Sequence, residues 1–147
     1  MGRLIPIKAS HILALDANIF ISAYDERNVL HDVCKKLLTR IYEIEPQVYI
    51  STLVFEEFLV QIYKANLEKN IKHYETFLTH NGIFMLRDFD TQTARTAAKL
   101  RATYPSLKTP DAIHLASAME AGATLFFSTD KRLPEKIGKL KIAVLGR

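Results

Sequence analysis

Four acids stand out by type and position: Asp16, Glu57, Asp111 and Asp130, drawn from four distant parts of a 147-residue chain. Like charges a few ångströms apart repel, so carboxylates gathered at one point need raised pKa values or a cation among them. Hard oxygen ligands without accompanying Cys or His favour Mg²⁺ or Mn²⁺ over zinc. Each acid also has an ordinary structural use. Asp16 can cap a helix, Asp111 can sit in a first turn where the dipole favours negative charge, and Asp130 can serve a turn. Glu56 and Glu57 can simply be solvated.

Whether the acids meet depends on the elements between them. The apolar run His11 to Leu15 reads as a buried strand ending at Asp16. Helices follow from Ala17 to about Tyr24 and from about Leu30 to Ile44, the second with Val33, Leu37, Ile41 and Ile44 on one face. Pro46 stops it, and Gln47 to Ser51 reads as a strand. Ser51 or Thr52 can cap the next helix, which carries Phe55, Phe58, Leu59 and Ile62. A further helix from Asn66 to about His80 closes at Asn81-Gly82, and Ile83 to Leu86 is a short strand. Asp90 caps a helix to about Tyr104. Thr109 as cap and Pro110 after it open another that reaches Gly122. Thr124 to Phe127 and Leu140 to Val144 supply the last strands.

Repeated strand–helix–strand units predict an α/β fold, a mostly parallel sheet between helices. In such a sheet, functional groups collect at the carboxyl ends of the strands. Asp16 stands there, and Glu57 lies roughly 9 Å into the helix after the second strand. The helix from Asp111 runs roughly 18 Å away from that edge. The following strand returns roughly 16 Å, which brings Asp130 back close to Asp111. Strand and helix lengths therefore predict that the four acids converge.

Composition sets the limits. The length suits one domain, 1–147, and 48% hydrophobic with 24% charged residues is ordinary for a globular chain. The one cysteine, Cys34, cannot form an internal disulfide and reads as a small buried hydrophobe. No apolar run suggests a membrane span, and residues 1–8 lack a leader pattern, so the reading is soluble, intracellular and cytoplasmic. Net charge is +4 with a pI near 9.2. Lys131, Arg132, Lys136, Lys139, Lys141 and Arg147 crowd the C-terminal segment, and Arg95, Lys99 and Arg101 share one helix. Solvated faces explain them singly; together they fit a polyanionic partner.

Other chemistries fit less well. No GxGxxG or phosphate-loop motif is present. His73 and His80, seven apart on one helix, are roughly 10 Å from each other, too far to share zinc. His31 and Cys34 have no third member for a cysteine hydrolase. His114 lacks a placed nucleophile and reads as a helix histidine at the rim of the acids.

The segments around the acids carry a resemblance. Leu15-Asp16-Ala17-Asn18-Ile19-Phe20, Ser51-Thr52-Leu53-Val54-Phe55-Glu56-Glu57-Phe58, Thr109-Pro110-Asp111-Ala112-Ile113-His114-Leu115-Ala116 and Phe127-Ser128-Thr129-Asp130-Lys131 occur in this order across nearly the whole chain. In this the sequence resembles the PIN-domain ribonucleases, the family that includes the toxin of VapBC toxin–antitoxin pairs. The resemblance implies a three-layer α/β/α sandwich around a five-stranded, mostly parallel sheet. It implies metal-dependent hydrolysis of RNA phosphodiesters, with Asp16, Asp111 and Asp130 holding Mg²⁺ or Mn²⁺ and Glu57, rather than Glu56, as the site's glutamate. Asn18 and Ser128 fall on supporting polar positions, and Lys108, Lys131 and Arg132 are placed to meet RNA phosphates. It also implies an antitoxin partner and a homodimer, for which Phe58, Ile62 and Tyr63 are candidate contacts. A rival reading is a catalytically silent PIN-like module that binds RNA or protein.

Overall fold

Alternating strand and helix signals resolve into a sheet with helices on both faces. The computed structural model describes residues 5–146; Arg147 and the first half of the segment 1–8, read above for a leader, lie outside them. The strands are β1 (Ile12–Leu15), β2 (Gln47–Ser51), β3 (Phe84–Arg87), β4 (Leu125–Ser128), β5 (Lys136–Ile137) and β6 (Leu140–Val144). The helices are α1 (Ala17–Tyr24), α2 (His31–Ile44), α3 (Thr52–Lys64), α4 (Ile71–Thr79), α5 (Thr91–Thr103) and α6 (Thr109–Glu120). Spatial order is β3-β2-β1-β4-β6-β5, parallel throughout except for β5 against β6. The sheet thus has six strands where five were expected. The sixth is the two-residue β5, turned onto β6 through Gly138 at φ 57° and too short to show a period.

Strand alternation assigns the two faces. Leu13, Leu15, Val48, Ile50, Leu125 and Phe127 point into a core built with α1 to α4. Ala14, Phe126 and Ile142 point into a second core built with α5 and α6. Cys34 is fully buried in the first. Phe58 and Ile62 are buried there too, so of the three candidate contacts only Tyr63 is exposed.

Most helix ends obey their local signals. Asp16, Ser51 and Asp90 cap α1, α3 and α5 by accepting from Ala17 N, Val54 N and Thr93 N. Glu45, left-handed at φ 55°, ends α2 before Pro46. The helix expected from Asn66 is instead a short 3₁₀ turn, Glu68–Asn70, followed by α4. The start of α6 also differs. Lys108, not Thr109, is the cap residue, and its N–H is met by the Asp111 carboxylate at 3.2 Å. Asp111 thus occupies the third helical position, from which an acid reaches back to the cap amide.

Candidate metal centre

The strand order reverses at β1, which pairs with β2 on one side and β4 on the other. The crevice above such a reversal is where open α/β sheets bind ligands. Asp16 follows β1 at this point and is 5% exposed. Its Oδ1 accepts from Ala17 N at 2.8 Å, and its Oδ2 accepts from Ser128 Oγ at 2.7 Å and from Asn18 Nδ2 at 3.2 Å. Asn18 also reaches Ser128 Oγ and, through its carbonyl, Thr129 N at 3.0 Å. One carboxylate is therefore fixed by residues more than a hundred positions apart, and the ends of β1 and β4 are tied together.

His114 is a correction to the sequence reading. It is 3% exposed, at the centre of the group rather than its rim. Its Nδ1 meets Ser51 Oγ at 2.9 Å; its Nε2 is 3.3 Å from Glu57 Oε2 and 3.7 Å from Asp16 Oδ1. The signal was present: His114 lies three residues after Asp111, hence on the same helix face. Glu57, in the second turn of α3, reaches His114, whereas Glu56 is exposed. One oxygen each from Asp16 and Glu57 and one nitrogen of His114 lie within 4.8 Å of one another.

Electrostatics explain why the arrangement suits a cation. Burial raises the Asp16 carboxyl above its ordinary value; His114 and the hydrogen bonds from Ser128 and Ala17 counter this, while the charge of Asp111 adds to it. Burial opposes charge on His114, but the hydrogen bond to Glu57 and the charges of Asp16, Glu57 and Asp111 outweigh it and raise its pKa. Asp111 is thus close enough to act on both buried groups. The carboxylates of buried Asp16 and partly exposed Glu57 favour positive charge between them, and two hard oxygens with a third acid nearby form a donor set that a divalent ion fits. The His114 imidazole lies among these oxygens, a neighbour that the sequence reading places at the rim.

Asp130 is placed differently. Its backbone N–H donates to Ser128 Oγ at 3.0 Å, at the same edge of the sheet. Its carboxylate, however, takes a two-pronged contact from Arg132, Nε to Oδ1 at 2.9 Å and Nη2 to Oδ2 at 2.8 Å. That hydrogen bond holds the Asp130 carboxyl below its ordinary range against a small burial effect. Arg132, considered above for RNA phosphates, is engaged with Asp130 in this arrangement. Lys108 is exposed at the start of α6 and close enough to Asp130 to lower its pKa; Lys131 is exposed beside it.

Comparison with known proteins agrees with this architecture. The fold is similar to a toxin–antitoxin complex from Klebsiella pneumoniae, at 24% identity over 82% of this chain and 88% of that one, TM-score 0.66. It is similar to VapBC2 from Rickettsia felis bound to a promoter DNA fragment, at 18% identity, 90% and 98% coverage and TM-score 0.69. DNA-bound VapBC from Salmonella typhimurium gives 20% identity, 91% and 98% coverage and TM-score 0.67. No match is found among curated proteins. At these identities structural likeness establishes the fold alone. The sequence itself goes further, since the PIN-domain family model matches residues 13–139. With motif order, topology and sequence model in agreement, this chain belongs to the PIN-domain family.

Proposed function

We propose that this protein is a divalent-metal-dependent ribonuclease and that it acts as the toxin of a toxin–antitoxin pair. The observation that carries the reading is the buried meeting of Asp16, Glu57 and His114 at the switch point of the sheet, with Asp111 acting on both buried groups. Asp16, Glu57, Asp111 and Asp130 would hold Mg²⁺ or Mn²⁺, with Asp130 released from Arg132 to take part. Bound there, the ion supplies an activated water at neutral pH and neutralises charge developing on the phosphoryl group.

The chain's own residues prepare that chemistry. Ser128 and Asn18 fix Asp16 Oδ2 and the Ala17 N–H fixes Oδ1, so the carboxylate needs no reorganisation. Ser51 sets the orientation of the His114 ring, leaving Nε2 toward Glu57 and Asp16. Lys108 and Lys131 stand at the rim, where a phosphate backbone would pass. The toxin role and an antitoxin partner are supported by the named neighbours, which are toxin–antitoxin assemblies; the homodimer is proposed from the family resemblance alone. No helix among the described residues is long and apolar enough to cross a membrane.

The Arg132–Asp130 pairing is the one observation that favours a silent binding module, because it occupies one of the four acids. Cleavage of a labelled RNA decides between them. Wild type should cut with Mg²⁺ or Mn²⁺ and stop in EDTA, and Asp16→Asn should lose at least about a hundredfold. Undiminished cleavage in EDTA, or by Asp16→Asn, sinks the metal mechanism.

A further inference from the structure

Beside the metal centre lies a cavity of about 240 Å³ lined by Thr52, Leu53, Glu56, Phe89 and Ile113. Three of these are chain neighbours of the groups that build the site: Thr52 follows Ser51, Glu56 precedes Glu57, and Ile113 precedes His114. Thr52, Leu53 and Glu56 lie on α3 and Ile113 on α6, the two helices that carry Glu57 and His114, so the cavity lies close to the centre. Phe89, in the loop between β3 and α5, is 52% exposed and belongs to neither hydrophobic core.

We propose that this cavity is a nucleobase subsite, in which Phe89 stacks on a base next to the scissile phosphate and Glu56 accepts from its amino group; this rests on the ribonuclease reading. Three features select a base over other occupants. A phosphate is excluded, because the charged group in the lining is a carboxylate and no cation lines the cavity. An exposed aromatic ring with Leu53 and Ile113 offers the flat apolar surface on which unstacked RNA bases rest. The Glu56 carboxylate is acceptor-only, so it prefers cytosine or adenine, which carry an exocyclic amine, over uracil, which presents a carbonyl there. Glu56 thereby gains a use distinct from that of Glu57: it reads the strand that the neighbouring residue helps to cut.

Binding in EDTA separates this subsite from catalysis. Anisotropy of labelled oligo(C), oligo(A) and oligo(U) should show wild type binding the first two more tightly than the third. Phe89→Ala should weaken all three roughly tenfold, and Phe89→Tyr should restore them. Glu56→Gln, which can both donate and accept, should close the gap between oligo(C) and oligo(U). Both positions are at the surface, and circular dichroism checks that each variant is folded. Wild type that binds through Phe89 yet cuts no RNA with Mn²⁺ supports the subsite and refutes the nuclease reading. The subsite is overturned by wild type that binds none of the three RNAs, by Phe89→Ala that binds them unchanged, or by a base preference indifferent to Glu56→Gln. A change of oligomeric state in Phe89→Ala on sedimentation overturns it in favour of a contact between copies.

Discussion

On one face of the sheet the helices meet it through rings. Phe20 stands edge-on to Phe58, Phe77 and Phe84 at 6.3, 6.2 and 5.3 Å, and Tyr24 and Tyr74 extend the cluster to the surface. There a groove of about 370 Å³ remains open between α1, α3 and α4, and burial pushes the Tyr24 hydroxyl up to about 12. On the other face the core shared by the sheet, α5 and α6 includes Ala97, Ala112, Ala116 and Ala118 beside Leu100, Leu115 and Phe126. Small side chains let the backbones approach, so α6 is buried over most of its length and carries Asp111 and His114 on a backbone with little room to shift. Large rings fill volume and tolerate an open margin; alanines fix distance. The first face supplies stability, surface and the helices that begin at Asp16 and carry Glu57, and the second sets the position of Asp111 and His114.

Paired core substitutions should break or confirm that contrast. Phe84→Ala, at the amino end of β3 far from the acids, should cost about 3–5 kcal/mol in urea unfolding. Molecules that remain folded should keep normal cleavage. Ala116→Leu should cost less, about 1–3 kcal/mol, yet depress cleavage by the folded fraction, since overpacking displaces α6. If Phe84→Ala lowers the specific activity of folded protein more than Ala116→Leu does, the contrast is wrong.

The contact between the two halves of the site is the next target. Ser51→Ala removes both the α3 cap and the partner of His114 Nδ1. Cleavage should fall roughly 10–100-fold and metal binding, followed by calorimetry, should weaken with it. Loss of stability without a change in metal affinity would reduce Ser51 to a helix cap.

pH sharpens the comparison because the raised groups lie where the two faces meet, Asp16 at the start of α1 and His114 on α6. His114 is raised above 6.5, so it contributes stability that is complete below that pH and fades as pH rises through the folded value. Asp16 is raised as well, and its stabilising proton is likewise lost as pH rises. In EDTA the melting temperature should therefore fall from about pH 6 to about pH 8, and His114→Asn should flatten the slope. A slope unchanged in that variant would place its origin elsewhere. Smallest of all is Arg132→Ala, whose side chain is 64% exposed. Stability should change by about 0.5 kcal/mol or less. The Asp130 carboxyl, followed by NMR titration, should rise toward its ordinary value.

Much of this was legible in the sequence because it is local. Periodicity gave the six helices, apart from the 3₁₀ start before α4, and the long strands. Ser51, Asp90 and Gly82 marked ends through chemistry confined to a few neighbours. Strand and helix lengths placed Asp16, Glu57 and Asp111 toward one edge. Cap chemistry misled at Thr109, where two readings lie one residue apart and the Asp111 side chain decides between them.

What the sequence by itself determined was an α/β chain with acids at the carboxyl edge of a parallel sheet, since element lengths and turn residues are written in short windows. Tertiary structure alone decided which polar groups meet. His114 joins Ser51 across 63 positions and Ser128 joins Asp16 across 112, pairings that no local pattern encodes. Only the assembled sheet and its helices bring these groups out of water together, and burial then makes each one's partner and charge depend on the others.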